Sequence, residues 1–237
     1  TEDVFLAEGV KMFLEALREQ LQEVYVSESF LEKCSCREHL EEVGYEVVSD
    51  SVFSKISDTC TPQGVLCVLK QFHYNIEEML RDKAPLFLLL ENIQDPGNLG
   101  TMLRTGEGAG VSGIIMSRDT VDLYNPKVIR STMGSIYRVP FYYADDFAAA
   151  VHQVQQAGVS VYAAHLRGKN SYACQDYTKG TAFLIGNEGN GLREETAELA
   201  DCYIRIPMEG KVESLNAAVA SSILMYEAHR QRATLEK

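Results

Sequence analysis

The sequence predicts an α/β protein in which a parallel-sheet domain follows a smaller α/β unit. The first observation is the unbroken apolar run Leu86-Phe87-Leu88-Leu89-Leu90, which is typical of a strand covered on both faces. The second is the alternation of strand and helix patterns after this run, which is typical of a doubly wound domain. With 237 residues, 46% of them hydrophobic, the chain can supply a buried core in one large or two modest domains.

The first seventy residues predict a compact α/β unit, which we place at 1–72. Apolar residues recur at helical spacing from Val10 to Leu17, and a short strand follows at 24–26. A second helix is predicted over 30–42, ended by Gly44, with a strand at 46–48 after it. Ser51 is expected to cap a short helix that runs to Ile56, and a turn at 61–64 leads into a buried strand at 65–69.

A polar segment at 73–85, closed by Pro85, is predicted to link this unit to the domain at 86–237. In that domain further strands are predicted at 113–116, 160–164, 182–185 and 202–206. Helices are predicted near 99–109, 126–132, 146–157 and 194–200, and a long one begins at Ser214.

Composition excludes several classes of protein. No apolar run approaches the roughly 20 residues of a membrane span, and the acidic first residues lack the basic region of a signal peptide. The six cysteines form no C-x-x-C pair and have no His at ligand spacing, so we expect reduced thiols, no metal and a cytoplasmic location. Residues 1–80 hold 16 acids and 6 bases, most of the net charge of −12, which argues mildly against nucleic-acid binding.

Three loops at the carboxyl ends of predicted strands carry the chemistry, since open α/β sheets bind ligands at that edge. In the first loop, Asp95-Pro96-Gly97 forms a turn, Asn98 is expected to cap the next helix, and Arg104 lies in its second turn. The alternative is a plain strand-turn-helix corner with a surface arginine.

The second loop holds three glycines, Gly186, Gly189 and Gly191, around Glu188. Glycines allow positive φ and a close backbone approach to a ligand. The alternative is a glycine-rich connection with a solvated Glu. The G-x-x-G-x-G spacing does not match the dinucleotide fingerprint, which disfavours an oxidoreductase.

The third loop runs from Ile206 to Asn216, and Ser214 is expected to cap the last helix and leave its first amides free. A capped amphipathic helix is the alternative. The helix begins with a set of small residues that allows close packing: Ala217, Ala218, Ala220, Ser221 and Ser222.

Together and in this order, the three loops resemble the three motifs of the SpoU (TrmH) family of RNA ribose 2′-O-methyltransferases, of the SPOUT class, over about residues 86–232. The first eighty residues resemble the RNA-binding domain that precedes the catalytic domain in many members. The resemblance implies a parallel α/β domain with a C-terminal trefoil knot at 182–232, a homodimer with its site near the interface, and S-adenosylmethionine as cofactor. A non-catalytic RNA-binding protein that keeps the cofactor fold is the alternative.

The resemblance also assigns the site residues. Catalytic positions would be Asn98, Arg104, Glu188, Ser214 and Asn216. The cofactor would be held by Ala164, His165, Leu166, Gly186, Asn187, Ile206 and Leu215. Apart from the resemblance, positive charge near these loops leads us to expect that structured RNA, ribosomal in preference to transfer RNA, is contacted by Lys127, Arg130, Arg138 and Lys211; a solvated surface charge is the alternative for each.

In this family the arginine of the first motif has been proposed as the base that deprotonates the ribose. Neutralising an arginine at pH 7 costs about 8 kcal/mol, at roughly 1.4 kcal/mol per pH unit. We therefore favour the hypothesis that Arg104 stays cationic, binds a phosphate and stabilises the developing alkoxide. Proton removal then falls to Glu188 or to a water that it orients.

Overall fold

The computed structural model describes residues 3–235, and in it an α/β unit precedes a larger parallel-sheet domain. The first unit is a four-stranded sheet of order β1-β4-β2-β3 in which only β2 and β3 pair in parallel. Its elements are β1 (Val4–Glu8), α1 (Val10–Glu15), β2 (Leu21–Ser27), α2 (Glu28–Lys33), α3 (Arg37–Val43), β3 (Glu46–Val48), α4 (Asp50–Ile56) and β4 (Val65–Lys70).

The second unit is built on a seven-stranded sheet whose paired strands are all parallel, in the order β7-β6-β5-β10-β8-β11-β9. Its elements up to the second half of the sheet are α5 (Ile76–Met79), β5 (Leu86–Leu90), α6 (Pro96–Ala109), β6 (Gly113–Ser117), α7 (Pro126–Thr132), β7 (Phe141–Ala144) and α8 (Phe147–Gln156). The remainder are β8 (Ser160–Ala164), β9 (Asn170–Ser171), β10 (Thr181–Ile185), α9 (Glu194–Ala197), β11 (Cys202–Arg205) and α10 (Ala217–Leu235).

The centre of the larger sheet explains the apolar runs of the sequence. Every residue of β5 and of β10 is buried, and the two strands pair in parallel register from Thr181 opposite Leu86 to Ile185 opposite Leu90. Helices cover both faces, because α6 and α10 pack together on one side and α8 lies on the other. The carboxyl ends of β5, β8, β10 and β11 therefore open at one edge.

Several predicted boundaries are wrong, each for a local reason. The helix predicted over 30–42 is two helices, α2 and α3, because the chain leaves helical geometry at Cys34, whose φ and ψ are −70° and 137°. The cap of α4 is Ser49, which accepts from the amide of Val52, and not Ser51. Strands β1, β7 and β9 are not among the predicted elements; within residues 3–235, β1 pairs only with β4, some sixty residues away.

The segment predicted as a linker packs against the rest of the molecule. It contains α5, whose Ile76 and Met79 are buried. Next to it, the hydroxyl of Tyr124 accepts from the amide of Phe72 at 2.7 Å and donates to the carbonyl of the same residue at 3.1 Å. Within residues 3–235, no helix combines the length and the apolar character needed to cross a membrane.

Candidate active site

A cavity of about 640 Å³ opens at the carboxyl ends of β8, β10 and β11. Parallel strands bring these ends together, so residues far apart in sequence meet there. All seven residues predicted to hold the cofactor line it: Ala164, His165, Leu166, Gly186, Asn187, Ile206 and Leu215.

Gly186 lies where the loop after β10 folds back on itself. A Cβ placed there would come 2.2 Å from the carbonyl carbon of Gly191 and 2.2 Å from the amide nitrogen of Leu192. Both neighbours are backbone atoms, so a side chain would force the loop open. The glycine therefore permits the turn that forms one wall of the cavity.

A chain of hydrogen bonds joins the three loops beside this cavity. The Asn98 amide donates through Nδ2 to Glu188 Oε1 at 2.9 Å, and the Asn216 Nδ2 donates to Asn98 Oδ1 at 2.9 Å. Asn216 Oδ1 in turn accepts from the backbone amides of Ala218 and Val219. The direction of these hydrogen bonds is fixed at both ends of the series, because a backbone amide only donates and a carboxylate only accepts.

Glu188 receives three hydrogen bonds from the first loop. Besides Asn98, the backbone amides of Gln94 and Asp95 donate to its carboxylate, each at 3.1 Å. Partial burial by itself raises the pKa of Glu188, but these donors outweigh it and hold the pKa below its ordinary value. Glu188 is therefore an anion that joins the second loop to the first.

Two predicted caps are wrong. Asp95, and not Asn98, caps α6, since the Asp95 carboxylate accepts from the backbone amide of Asn98 at 2.8 Å. Asn216, and not Ser214, caps α10, so the first amides of that helix are not free. In both cases the true cap is the residue directly before the helix, and the predicted one lies inside or upstream of it. Ser214 is exposed and lines the cavity.

Arg104 stands apart from the other predicted catalytic residues. It is exposed on α6 and does not line the cavity, and its side chain makes no hydrogen bond or ion pair with another residue of 3–235. Arg104 lies six residues after Asn98 on the helix, so its side chain points about 120° away from that of Asn98 around the helix axis. Its neighbour on the same face, Gly108, faces the hydroxyl of Tyr226 on α10.

The four predicted RNA contacts fall into two groups. Lys127 and Lys211 are exposed. Arg130 pairs with Asp58 at 2.6 Å, and Arg138 is bound between Glu15 and Glu107. Both arginines thus join the two units of the protein.

Sequence reasoning missed Glu91, the residue directly after β5. It is 1% exposed, and its carboxylate accepts from the Arg193 amide at 2.8 Å and from the Thr196 hydroxyl at 2.5 Å. The available signal was its position: an acid that directly follows a fully apolar strand is expected to be buried and to have partners.

His165 at the cavity is held by its neighbours. Its Nδ1 accepts from the Arg167 amide at 3.1 Å, and its ring centroid lies 5.1 Å from that of Tyr203. Burial, followed by the charge of Arg167, lowers the pKa of His165. The ring is therefore neutral at pH 7. Among residues 3–235, no group of three or more His, Cys, Asp or Glu side chains has the arrangement of a metal site.

Comparison with known proteins shows the family to which the chain belongs. The sequence signature of the SpoU rRNA Methylase family matches residues 85–226, more than half of the chain. The chain belongs to this family. A second signature, the MRM3-like substrate binding domain, matches residues 1–67.

Individual SpoU family members are similar over most of the chain. The 23S rRNA (guanosine(2553)-2′-O)-methyltransferase RlmP of Bacillus subtilis is 35% identical over 76% of this chain and 70% of its own. The 23S rRNA (guanosine-2′-O-)-methyltransferase RlmB of Bordetella pertussis is 32% identical over 90% and 91%. An AdoMet-bound rRNA methyltransferase from Sinorhizobium meliloti superposes with a TM-score of 0.84 at 32% identity, covering 96% and 87%.

Proposed function

We propose that this protein transfers a methyl group from S-adenosylmethionine to a ribose 2′-hydroxyl of ribosomal RNA. The observation that carries the proposal is the Glu188–Asn98–Asn216 chain of hydrogen bonds, which joins three loops beside one cavity. The names of the relatives, two of them 23S rRNA methyltransferases, favour ribosomal over transfer RNA.

The cavity suits S-adenosylmethionine in size, lining and charge. Small-ligand sites measure about 300–1,000 Å³, and this one lies within that range. Ile206 and Leu215 offer apolar surface for a ring, and backbone groups at the strand ends are available for hydrogen bonds. Three carboxylates line it against one guanidinium, which favours a cationic ligand: Glu188, Glu209 and Glu213 against Arg205.

Bound S-adenosylmethionine supplies an electrophilic methyl group, and the chain supplies alignment. The rigid loop 186–192 and the segment 206–215 hold the donor at the strand ends. The exposed Ser214 lies in that segment and Asn216 directly follows it, so the hydroxyl of the one and the side-chain amide of the other can orient the ribose. A cationic Arg104 would bind the substrate phosphate and stabilise the charge that develops on the 2′-oxygen.

We propose a homodimer in which Arg104 acts on the substrate bound at the cavity of the partner subunit. The support is its exposed position on α6, beside the face of α10 that leaves Val219 and Tyr226 48% and 49% exposed. Exposed apolar residues on one face of a helix are typical of a surface that another chain covers. Of the small residues of α10, Ala220 and Ser222 are partly exposed and leave room for a close approach, whereas Ala217, Ala218 and Ser221 are buried within their own chain.

We also propose that the return of α10 across α6, β5 and β10 closes a trefoil knot within 182–232.

The unit at 1–72 is the substrate-binding domain, the segment 73–85 joins it to the methyltransferase domain, and the match of residues 1–67 supports this division. The protein acts in the cytoplasm, where ribosomal RNA and reduced thiols are found; its six cysteines are free.

The proposed activity is tested by incubating the purified protein with tritiated S-adenosylmethionine and ribosomal RNA that lacks 2′-O-methyl groups. We expect labelled RNA that resists alkaline cleavage at one position, since a 2′-O-methyl blocks that cleavage. Gly186→Val, which the backbone contacts forbid, should abolish both labelling and cofactor binding. Label that appears on a base, or binding of the cofactor without any transfer, would refute the proposed reaction.

The placement of Arg104 is tested by mixing two inactive variants. Arg104→Ala and Gly186→Val are co-expressed with different tags, and the mixed dimer is isolated. If Arg104 acts on the partner, one of its two sites has both an intact cavity and an intact arginine, so turnover returns to about half that of the wild type. If Arg104 acts within its own chain, the mixed dimer stays inactive.

A further inference from the structure

Glu91 lies outside the cavity, but its backbone amide and its buried carboxylate contact opposite ends of the loop that forms the cavity wall. Glu91 extends the pairing of β5 and β10, since its backbone amide donates to the carbonyl of Ile185 at 2.9 Å. Its carboxylate accepts from the amide of Arg193, at the far end of the loop, at 2.8 Å. One residue thus binds the residues that precede and follow the segment 186–192.

The loop between these points is stiff by its own contacts. The backbone groups of Asn187 and Gly191 exchange two hydrogen bonds, at 3.0 and 2.9 Å. The Asn187 side-chain oxygen accepts from the amides of Gly189 and Asn190. A stiff loop moves as a unit, so its position depends on how its ends are attached to the sheet.

The attachment of the far end depends on Glu91 more than on surface charges. The Thr196 hydroxyl donates to Oε1 of Glu91 at 2.5 Å, which ties α9 to the same carboxylate. The guanidinium of Arg193 also pairs with Asp119, but that contact is half exposed and involves no backbone atom of the loop. Exposed ion pairs contribute little, whereas Glu91 is 1% exposed.

We propose that Glu91 is a positioning residue for the methyl-transfer reaction, and that it fixes the loop 186–192 where the cofactor and Asn98 require it. Its effect is expected on cofactor binding, because Gly186 and Asn187 line the cavity. It is also expected on the placement of Glu188, which must reach Asn98. RNA affinity should change little. The inference rests on S-adenosylmethionine being the ligand of the cavity.

The test compares four proteins by calorimetric titration with S-adenosylhomocysteine, which needs no turnover. Glu91→Ala should raise the Kd at least about tenfold relative to wild type. Glu91→Gln should restore it to within about threefold, since the amide oxygen can accept from Arg193 while the amide nitrogen donates to the Thr196 hydroxyl. Asp119→Ala removes the surface partner of Arg193 and an acceptor of the Ser117 hydroxyl but leaves the contacts of Glu91 in place; it is the control and should keep the wild-type Kd.

Steady-state kinetics and thermal unfolding separate positioning from mere stabilisation. Glu91→Ala should raise the KM for S-adenosylmethionine and leave the KM for RNA within about twofold. If Glu91→Ala does not fold, Glu91→Asp, which keeps the charge and shortens the side chain, replaces it and should raise the Kd as well. A lower Tm with an unchanged Kd would refute the proposal for Glu91. Failure of the wild type to bind S-adenosylhomocysteine would instead refute the assignment of the cavity.

Discussion

At the scale of single residues, the hydrogen bonds of Glu188 decide whether its carboxylate is suited to act as a general base or as an orienting anion. A general base works best when its pKa lies near the working pH. The three donors from Gln94, Asp95 and Asn98 hold the pKa of Glu188 below its ordinary value instead. The geometry therefore favours Glu188 as an anion that orients Asn98 or a water, and it weakens the hypothesis that Glu188 itself removes the ribose proton.

The pH dependence of stability tests this assignment. Because the folded-state pKa of Glu188 is lowered, its contribution is present above the unfolded value of about 4.3 and is lost as the pH falls through the folded value. We expect Glu188→Gln to cost about 1 kcal/mol at neutral pH, a figure discounted for solvent exposure. Thermal unfolding of both proteins between about pH 3 and pH 7 should show the difference shrinking below about pH 4. A difference that stays constant with pH would contradict the lowered pKa.

At the scale of secondary-structure elements, Asn216 both caps α10 and continues the hydrogen bonds of the site. An aspartate at this position can still accept from the amides of Ala218 and Val219. Its second oxygen, however, would face Asn98 Oδ1, and a flip of Asn98 would only move the clash to Glu188. The substitution thus separates the cap from the site.

We expect Asn216→Asp to keep the stability of the helix and to lose most of the activity. The thermal unfolding midpoint should stay within about 2 °C of the wild type, because the cap is retained. Turnover should fall at least about tenfold, because two acceptors then face each other beside the cavity. Asn216→Ala, which loses both the cap and the site contact, is the comparison and should lower both quantities. Wild-type turnover in Asn216→Asp would show that the chain of hydrogen bonds has no part in the reaction.

The same elements show what the sequence can predict. Most elements of the parallel sheet could be predicted because buried strands are nearly all apolar, as in β5, and the loops because their residue types are unusual. Strand β1 could not, since its pairing with β4 is a long-range contact that no local pattern records. The choice of Asp95 over Asn98, and of Asn216 over Ser214, was also not predictable. Several consecutive residues can cap a helix, and the boundary decides between them.

At the scale of the whole molecule, the two units are joined by a continuous interface. Phe5 of β1 lies 4.9 Å from Tyr124 between ring centroids, and the hydroxyl of Tyr137 donates to the carbonyl of Met12 at 3.1 Å. Arg138 adds a charged contact between α1 and α6, through Glu15 and Glu107. An interface of this kind fixes the acidic first unit relative to the cavity.

Arg138 either contacts RNA or links the two units of the protein, and a substitution decides between these roles. Arg138→Met leaves Glu15 and Glu107 without their shared cation, and burial is only partial, so we expect a loss of about 1–2 kcal/mol. For a chain of this size that corresponds to a fall in Tm of roughly 2–8 °C. Arg118→Met, which breaks an exposed pair with Asp145 inside one unit, is the matched control and should change Tm by no more than about 1 °C. If Arg138 binds RNA instead, the KM for RNA should rise while Tm stays at the wild-type value. Calorimetry and RNA-dependent kinetics on the same three proteins therefore decide whether the cation holds the protein together or holds its substrate.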